Sequence, residues 1–237
     1  MTDFAYIGSE LDVFAFASNW KAYYKGLISD YIGTNVLEVG AGIGATAQTL
    51  CDGSRERWVC LEPDPSLAGQ ISGKIETGDL PKCCSVRTGT TSDLFGPEKF
   101  DTILYIDVLE HIETDREEMQ NAFDLLGEGG HLIILSPAHQ GLYTPFDAKI
   151  GHFRRYTKAT LCAVIPENLQ LINLIYVDSF GALASAANRY ILKSDMPTKK
   201  QIQFWDTKII PFSRFFDAKL GYSVGKSVIG VWKKNSF

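Results

Sequence analysis

Three stretches of this 237-residue chain carry side chains whose type and spacing could do chemistry. The first is Val36-Leu37-Glu38-Val39-Gly40-Ala41-Gly42-Ile43-Gly44, an apolar run that ends in an acid and is followed by glycines at alternate positions. With the helix-favouring run from Ala45 to Cys51 behind it, the pattern predicts a buried parallel strand, a tight turn and a helix whose N-terminus faces a ligand. Glycine is needed there because a Cβ would block close approach and because the turn visits positive φ. The second stretch, Phe100 to Ile112, is a strand that ends in Asp107-Val108-Leu109-Glu110-His111. The third, Tyr143 to Thr157, brings Phe146, Asp147, His152, Arg154, Arg155 and Tyr156 into one segment. Two adjacent arginines beside a histidine and tyrosines can bind an anionic group and supply a proton acceptor.

The glycine pattern fits two ligand classes. Gly40-x-Gly42-x-x-Ala45 satisfies the dinucleotide fingerprint G-x-G-x-x-G/A. Glu38-x-Gly40-x-Gly42-x-Gly44 resembles motif I of the class I S-adenosylmethionine-dependent methyltransferases. Charge separates the two. A pyrophosphate over the glycines would sit poorly near a carboxylate two residues upstream, whereas the ammonium and sulfonium of S-adenosylmethionine would be favoured by Glu38. Glu62, followed by Pro63, closes the second strand 18 residues after Gly44 and can accept hydrogen bonds from ribose hydroxyls in either class.

The methyltransferase resemblance extends over about residues 34–137. Phe100 to Ile112 is similar to the fourth-strand motif of many small-molecule methyltransferases, which implies that Asp107 lines the methionine half of the cofactor. Leu125 to Ile133 resembles the L-x-P-G-G-x-L turn into strand five, with Glu128 in place of proline. After strand three the family often has Gly-Asp. Here Thr90 follows Gly89, so the resemblance implies an adenine contact through Thr90, Thr91 or their backbone. Gly151-His152-Phe153-Arg154-Arg155-Tyr156 is similar to the G-H-x-R-R-Y stretch of a subset of bacterial methyltransferases, many attached to glycan or secondary-metabolite pathways.

The resemblance thus implies methyl transfer from S-adenosylmethionine to an O or N atom of a small, anionic metabolite such as a secondary metabolite, sugar or glycan precursor. Glu38, Gly40, Gly42, Gly44, Glu62, Pro63, Thr90 and Asp107 would hold the cofactor. Tyr143, His139, Arg154, Arg155 and Tyr156 would line the acceptor side. Positioning does most of the work in such a displacement, and a general base helps a hydroxyl acceptor. His152 is the first candidate for that base, followed by His139 and His111. The rival enzyme class is an NAD-dependent oxidoreductase, and a non-catalytic module that keeps the fold is the rival from outside catalysis.

The elements that must position these groups alternate strand and helix, which predicts a doubly wound, Rossmann-like α/β fold. Its sheet is mostly parallel and seven-stranded, with helices on both faces. Strands are expected at 35–39, 58–61, 84–88, 100–106, 131–135, 169–177 and 227–232. Thr114-Asp115-Arg116-Glu117 fits a capping box ahead of a helix with Met119, Ala122, Phe123 and Leu126 at core spacing. Residues 138–156 read as a long functional loop. A single domain is expected: an N-terminal helical cap over 1–32, a cofactor-binding core over 33–178, a helical substrate cap over 179–220 and the last strand within 221–237.

Composition is that of a soluble globular chain, 45% hydrophobic and 22% charged. The N-terminus lacks a signal-peptide pattern and no run is long enough for a membrane span, so a cytoplasmic protein is expected. The five cysteines have no C-x-x-C spacing, and neither a disulfide framework nor a metal site is expected. Residues 1–137 hold 9 Lys+Arg against 22 Asp+Glu, and residues 138–237 hold 14 against 6. The acidic half carries the cofactor motif, and the basic half would face an anionic substrate. Nucleic acid is not an expected partner, with a pI near 5.4. Peripheral contact of the basic, aromatic half with anionic lipid is a secondary expectation. The sequence sets no oligomeric state.

Overall fold

The computed structural model describes residues 11–94, 96–187 and 198–235. Seven strands form one mixed sheet: β1 (Asn35–Val39), β2 (Arg57–Glu62), β3 (Cys84–Thr88), β4 (Phe100–Ile106), β5 (Leu126–Pro137), β6 (Leu169–Val177) and β7 (Ser227–Lys234). Their order is β3-β2-β1-β4-β5-β7-β6. The first five strands pair in parallel, and β7 lies antiparallel between β5 and β6. β5 starts five residues earlier than the sequence predicts, because Leu126 pairs with Phe100 before a register shift that carries the chain through its glycines.

Strands covered on both sides must be apolar on both sides, and alternate residues here enter two cores. Val36, Trp58, Cys60, Leu104 and Ile133 join one. Leu37, Val39, Val59, Leu61, Ile103 and Tyr105 join the other. Helices α2 (Ser18–Ile28), α3 (Ala45–Leu50) and α4 (Pro65–Thr77) feed the first core, after a short α1 (Leu11–Phe14). Helix α5 (Asp115–Leu125) feeds the second with Met119 and Ala122, as the helical spacing predicts, and with Leu125 in place of the expected Leu126, which opens β5; Phe123 packs at its margin.

Helix ends show where local chemistry won and where it lost. Asp64 caps α4 by accepting from the Ser66 and Leu67 N–H groups at 2.7 and 3.2 Å, with Pro65 at the first helical position. The expected capping box at α5 does not form: Thr114 sits at φ −93°, ψ 56° and its side chain makes no cap bond. The neighbouring Asp115 is drawn instead to Arg154 and Tyr156.

The expected loop over 138–156 contains a short helix, α6 (Pro145–Lys149), where the Asp147 carboxylate accepts from the N–H and hydroxyl of Thr144, both at 2.8 Å. Helix α7 (Lys158–Cys162) follows, capped by Thr157. After β6 come α8 (Ser179–Ala187), α9 (Lys199–Phe204), a π turn over Trp205–Ile209 and α10 (Ile210–Lys219). Residues 1–10 of the expected N-terminal cap and 188–197 of the expected substrate cap lie outside the described residues. Among the described residues, no helix is long and apolar enough to cross a membrane.

Candidate active site

The turn after β1 is held by its own backbone. Gly40, Gly42 and Gly44 adopt φ of 64°, 57° and 75°, a region an L-residue enters only at a cost. A Cβ on Gly40 would come within 2.7 Å of a Val108 methyl. Gly44 forms the N-cap of α3. Beneath the turn, Glu62 clamps it to β2: one oxygen accepts from the Gly42 N–H at 2.7 Å and the other from the Asp64 N–H at 2.9 Å.

A cavity opens above this turn. Gly40, Gly42, Ala45 and Thr46 form one side; Trp20, Lys21, Tyr24 and Trp205 close it with indole, amine and phenol groups. Asp107, Glu110, His111, His152, Arg155 and Lys226 supply its charged wall. Parallel strands deliver the C-terminal ends of β1 and β4 here. The antiparallel β7 delivers its N-terminal end, which is why Lys226 arrives from the far end of the chain.

The wall is an ion network. Asp147 accepts from His152 Nδ1 at 2.9 Å, Arg155 Nε at 2.7 Å and Arg155 Nη2 at 3.0 Å. Burial opposes the charge on Asp147, yet His152 and Arg155 hold its carboxyl well below the usual range. Burial likewise opposes the His152 imidazolium, and Asp147 and Glu110 outweigh it, so its pKa is raised. Glu110 lies 3.8 Å from His152 Nε2 and accepts a 2.5 Å bond from the Ser136 hydroxyl. Burial pushes the Glu110 carboxyl up. The His111 ring lies 4.5 Å from that of His152, and burial, aided by that charge, lowers its pKa to about 3.

Asp107 stands at φ 54° past the end of β4, accessible from the cavity although protein surrounds it. Burial, then the neighbouring Glu110 charge, push its carboxyl up to about 7. Burial lowers the pKa of Lys226, whose ammonium sits 4.8 Å from the Trp205 ring and feels Asp178, Asp107 and Asp147.

Of the residues expected from sequence, Gly40, Gly42, Asp107, His152 and Arg155 line this cavity. Glu38 does not face it. Only 1% exposed, its carboxylate accepts the Trp58 indole N–H at 2.7 Å, and burial pushes its pKa up to about 8. An acid that tends to neutrality there stabilises the strand end rather than attracting a cation. Thr90 also points elsewhere: its N–H and hydroxyl both donate to Asp93 on the exposed end of β3. Gly44, Glu62 and Pro63 support the turn from outside the cavity wall.

Of the residues expected to line the acceptor side, Arg154 pairs with Asp115 at 2.5 Å and donates to the Glu113 carbonyl, and Tyr156 is buried with its hydroxyl 2.8 Å from the same Asp115. Both anchor the segment against α5. Tyr143 donates to the His152 carbonyl at 2.6 Å. His139 stacks on Tyr176 at 4.6 Å, beside a second groove. His152 reaches the cavity with each ring nitrogen turned to a carboxylate, a poor arrangement for accepting a proton.

Sequence reasoning missed Glu110, Asp147 and Lys226 as site residues, although the first two lie inside stretches it singled out. It also missed two clusters with metal-ligating atoms within 4.8 Å of one another: Glu110, His111 and His152 in the wall, and Cys51, Cys83 and Cys84 where α3 ends beside the start of β3. No ligand spacing betrays the second because its thiols come from separate elements.

Residues 37–132 match the model of a methyltransferase domain. No protein of curated function matches the sequence. Solved structures resemble the whole chain. The N-methyltransferase NodS from Bradyrhizobium japonicum WM9 is 15% identical with a TM-score of 0.59, over 94% of this chain and 99% of that one. A sarcosine dimethylglycine methyltransferase, so described provisionally, from Galdieria sulphuraria is 14% identical with a TM-score of 0.61, over 92% and 84%. The [4+2]-cyclase SpnF is 13% identical with a TM-score of 0.63, over 98% and 96%. At these identities the likeness shows the fold alone, and a cyclase among such structures shows that the fold does not fix the reaction.

Proposed function

We propose that this chain is an S-adenosylmethionine-dependent methyltransferase that methylates an O or N atom of a small anionic acceptor held between the glycine turn and the Arg155–Lys226 wall; the match to a methyltransferase domain supports the activity. One observation carries the choice of acceptor. Arg155 Nη1 is buried without a hydrogen-bond partner on the cavity wall, beside the ammonium of Lys226. A buried donor left unpaired is costly, and a carboxylate or phosphate would satisfy it.

The residues present fit the cofactor. Asp107 offers the cavity a carboxylate that meets no hydrogen-bond donor among the described residues, and a cationic ligand suits it. The cofactor supplies a methyl group activated on a sulfonium. Gly40 and Gly42 would let it lie against the backbone. Trp20, Tyr24 and Trp205 exclude water from the cavity, which strengthens every charge interaction inside. Arg155 and Lys226 orient the acceptor so that its lone pair faces the methyl carbon. Asp107 would take up the proton that the acceptor atom loses on methylation. His152 holds Asp147 and Arg155 in place and is a positioning residue. The expected domain plan stands within this proposal, with α1–α2 and α8–α10 as a helical cap over the cavity.

A transfer assay with radiolabelled S-adenosylmethionine, run on pairs of acceptors that differ only by a carboxylate or phosphate, tests the proposal. Anionic members should be preferred. Lys226→Gln should raise their KM about tenfold while leaving S-adenosylhomocysteine affinity unchanged in calorimetry. Preference for the neutral members would refute the anionic acceptor.

A further inference from the structure

The outward face of α9 and α10 is built against the usual rule. Helix α10 buries Ser213 and Asp217 and exposes Phe212 and Phe215, which are 59% and 58% accessible. Phe212, Phe215, Phe216 and Lys219 recur at three- and four-residue spacing and share one side of the helix. Phe180 from α8 extends this apolar strip, 6.2 Å from the Phe212 ring and 5.4 Å from that of Phe216. Exposed apolar patches of this size mark interaction sites.

Charge tells what the strip meets. From residue 198 to 220 there are five basic residues and two acids. Both acids point inward. Asp206 accepts from the Trp20 N–H at 2.8 Å at the start of α2, and Asp217 accepts from the Tyr23 hydroxyl and the Asp178 N–H. Lys199, Lys200, Lys208, Arg214 and Lys219 are all exposed. The Lys219 ammonium lies over the Phe215 ring, 3.9 Å from its centre, so charge and ring share one exposed surface. The exposed charges of this segment are therefore all positive, set among aromatic rings and uncharged side chains such as Gln201, Gln203 and Thr207. That pairing suits the interface of an anionic bilayer, where rings enter the headgroup boundary and lysines reach lipid phosphates.

We propose that the α8–α10 face docks on an anionic lipid surface. The same segment supplies Trp205 to the active-site cavity, so docking would hold the cavity next to the membrane. The inference does not depend on the identity of the methyl acceptor.

Flotation of the full chain with phosphatidylcholine vesicles, and with vesicles that also contain phosphatidylglycerol, tests it. Binding is expected only to the second kind, falling with added salt. Phe212→Ser with Phe215→Ser should weaken it at least about tenfold, and Lys219→Glu should weaken it roughly fivefold or more. All three positions are exposed, and unchanged S-adenosylhomocysteine binding will confirm that each variant folds. Absence of binding to anionic vesicles would overturn the proposal, as would binding that the phenylalanine changes leave intact. So would a concentration-dependent dimer that the same changes dissolve, or capture of single-stranded RNA in preference to vesicles.

Discussion

The two sides of the active-site cavity are built by opposite means. The glycine turn is backbone: three glycines at positive φ, at alternate positions, clamped by Glu62. The charged wall is side chains: Glu110 follows β4, His152 and Arg155 follow α6, and Lys226 precedes β7. A backbone site tolerates change in every neighbour that leaves the turn intact. A charged wall depends on each member, because a buried charge without its partner is expensive.

The contrast is sharpest at Arg155. Arg155→Ala removes the guanidinium that pairs with Asp147 through two nitrogens, and it should lower unfolding free energy by about 3–5 kcal/mol, measured by urea denaturation. A loss under about 1 kcal/mol would mean that the network is solvated in solution. On the other side, Gly40→Ala places a methyl group at φ 64° and against Val108. It should destabilise by about 1–3 kcal/mol and weaken S-adenosylhomocysteine binding about tenfold. Unchanged binding would show that the turn does not approach the ligand.

Smaller effects follow from protonation. Asp107 is charged above about pH 7 and neutral below it. Affinity for a cationic cofactor should therefore rise as pH passes through 7, and Asp107→Asn should flatten that rise in calorimetric titrations. Glu38 gives the least change. Its folded pKa, about 8, lies above the ordinary 4.5. The folded state keeps the proton longer than the unfolded one, so this contribution to stability is full below about 4.5 and is lost as pH climbs to 8. Glu38→Gln keeps an acceptor for Trp58 and should reduce the fall in melting temperature between pH 6 and 8. A steeper fall would show that the carboxylate is stabilising when ionised.

The same contrast explains what could be read from the sequence. The strand, turn and helix around Gly40 are contiguous, so apolar run, glycine spacing and helix start were all visible together. The seven strands were legible for the same reason, apart from the early start of β5, which depends on pairing across Phe100. Glu38 looked like a cofactor ligand because its charge suits a cation, but spacing cannot tell a cavity carboxylate from one sealed against Trp58. Arg154 and Arg155 are equivalent on the page, and only the fold sends one to Asp115 and the other to the cavity. Lys226 was invisible because its place follows from β7 running antiparallel beside β5. The inward Asp206 and Asp217 likewise hide in a segment that reads as an ordinary amphipathic helix.

The most direct measurement is a crystal structure of the protein with S-adenosylhomocysteine. If the cavity is divided between backbone and charged wall, the sulfur will lie beside Asp107 and the glycine turn, with Arg155 Nη1 and Lys226 left free across from it. Finding those two cations against the ligand itself, or the sulfur far from Asp107, would contradict that division.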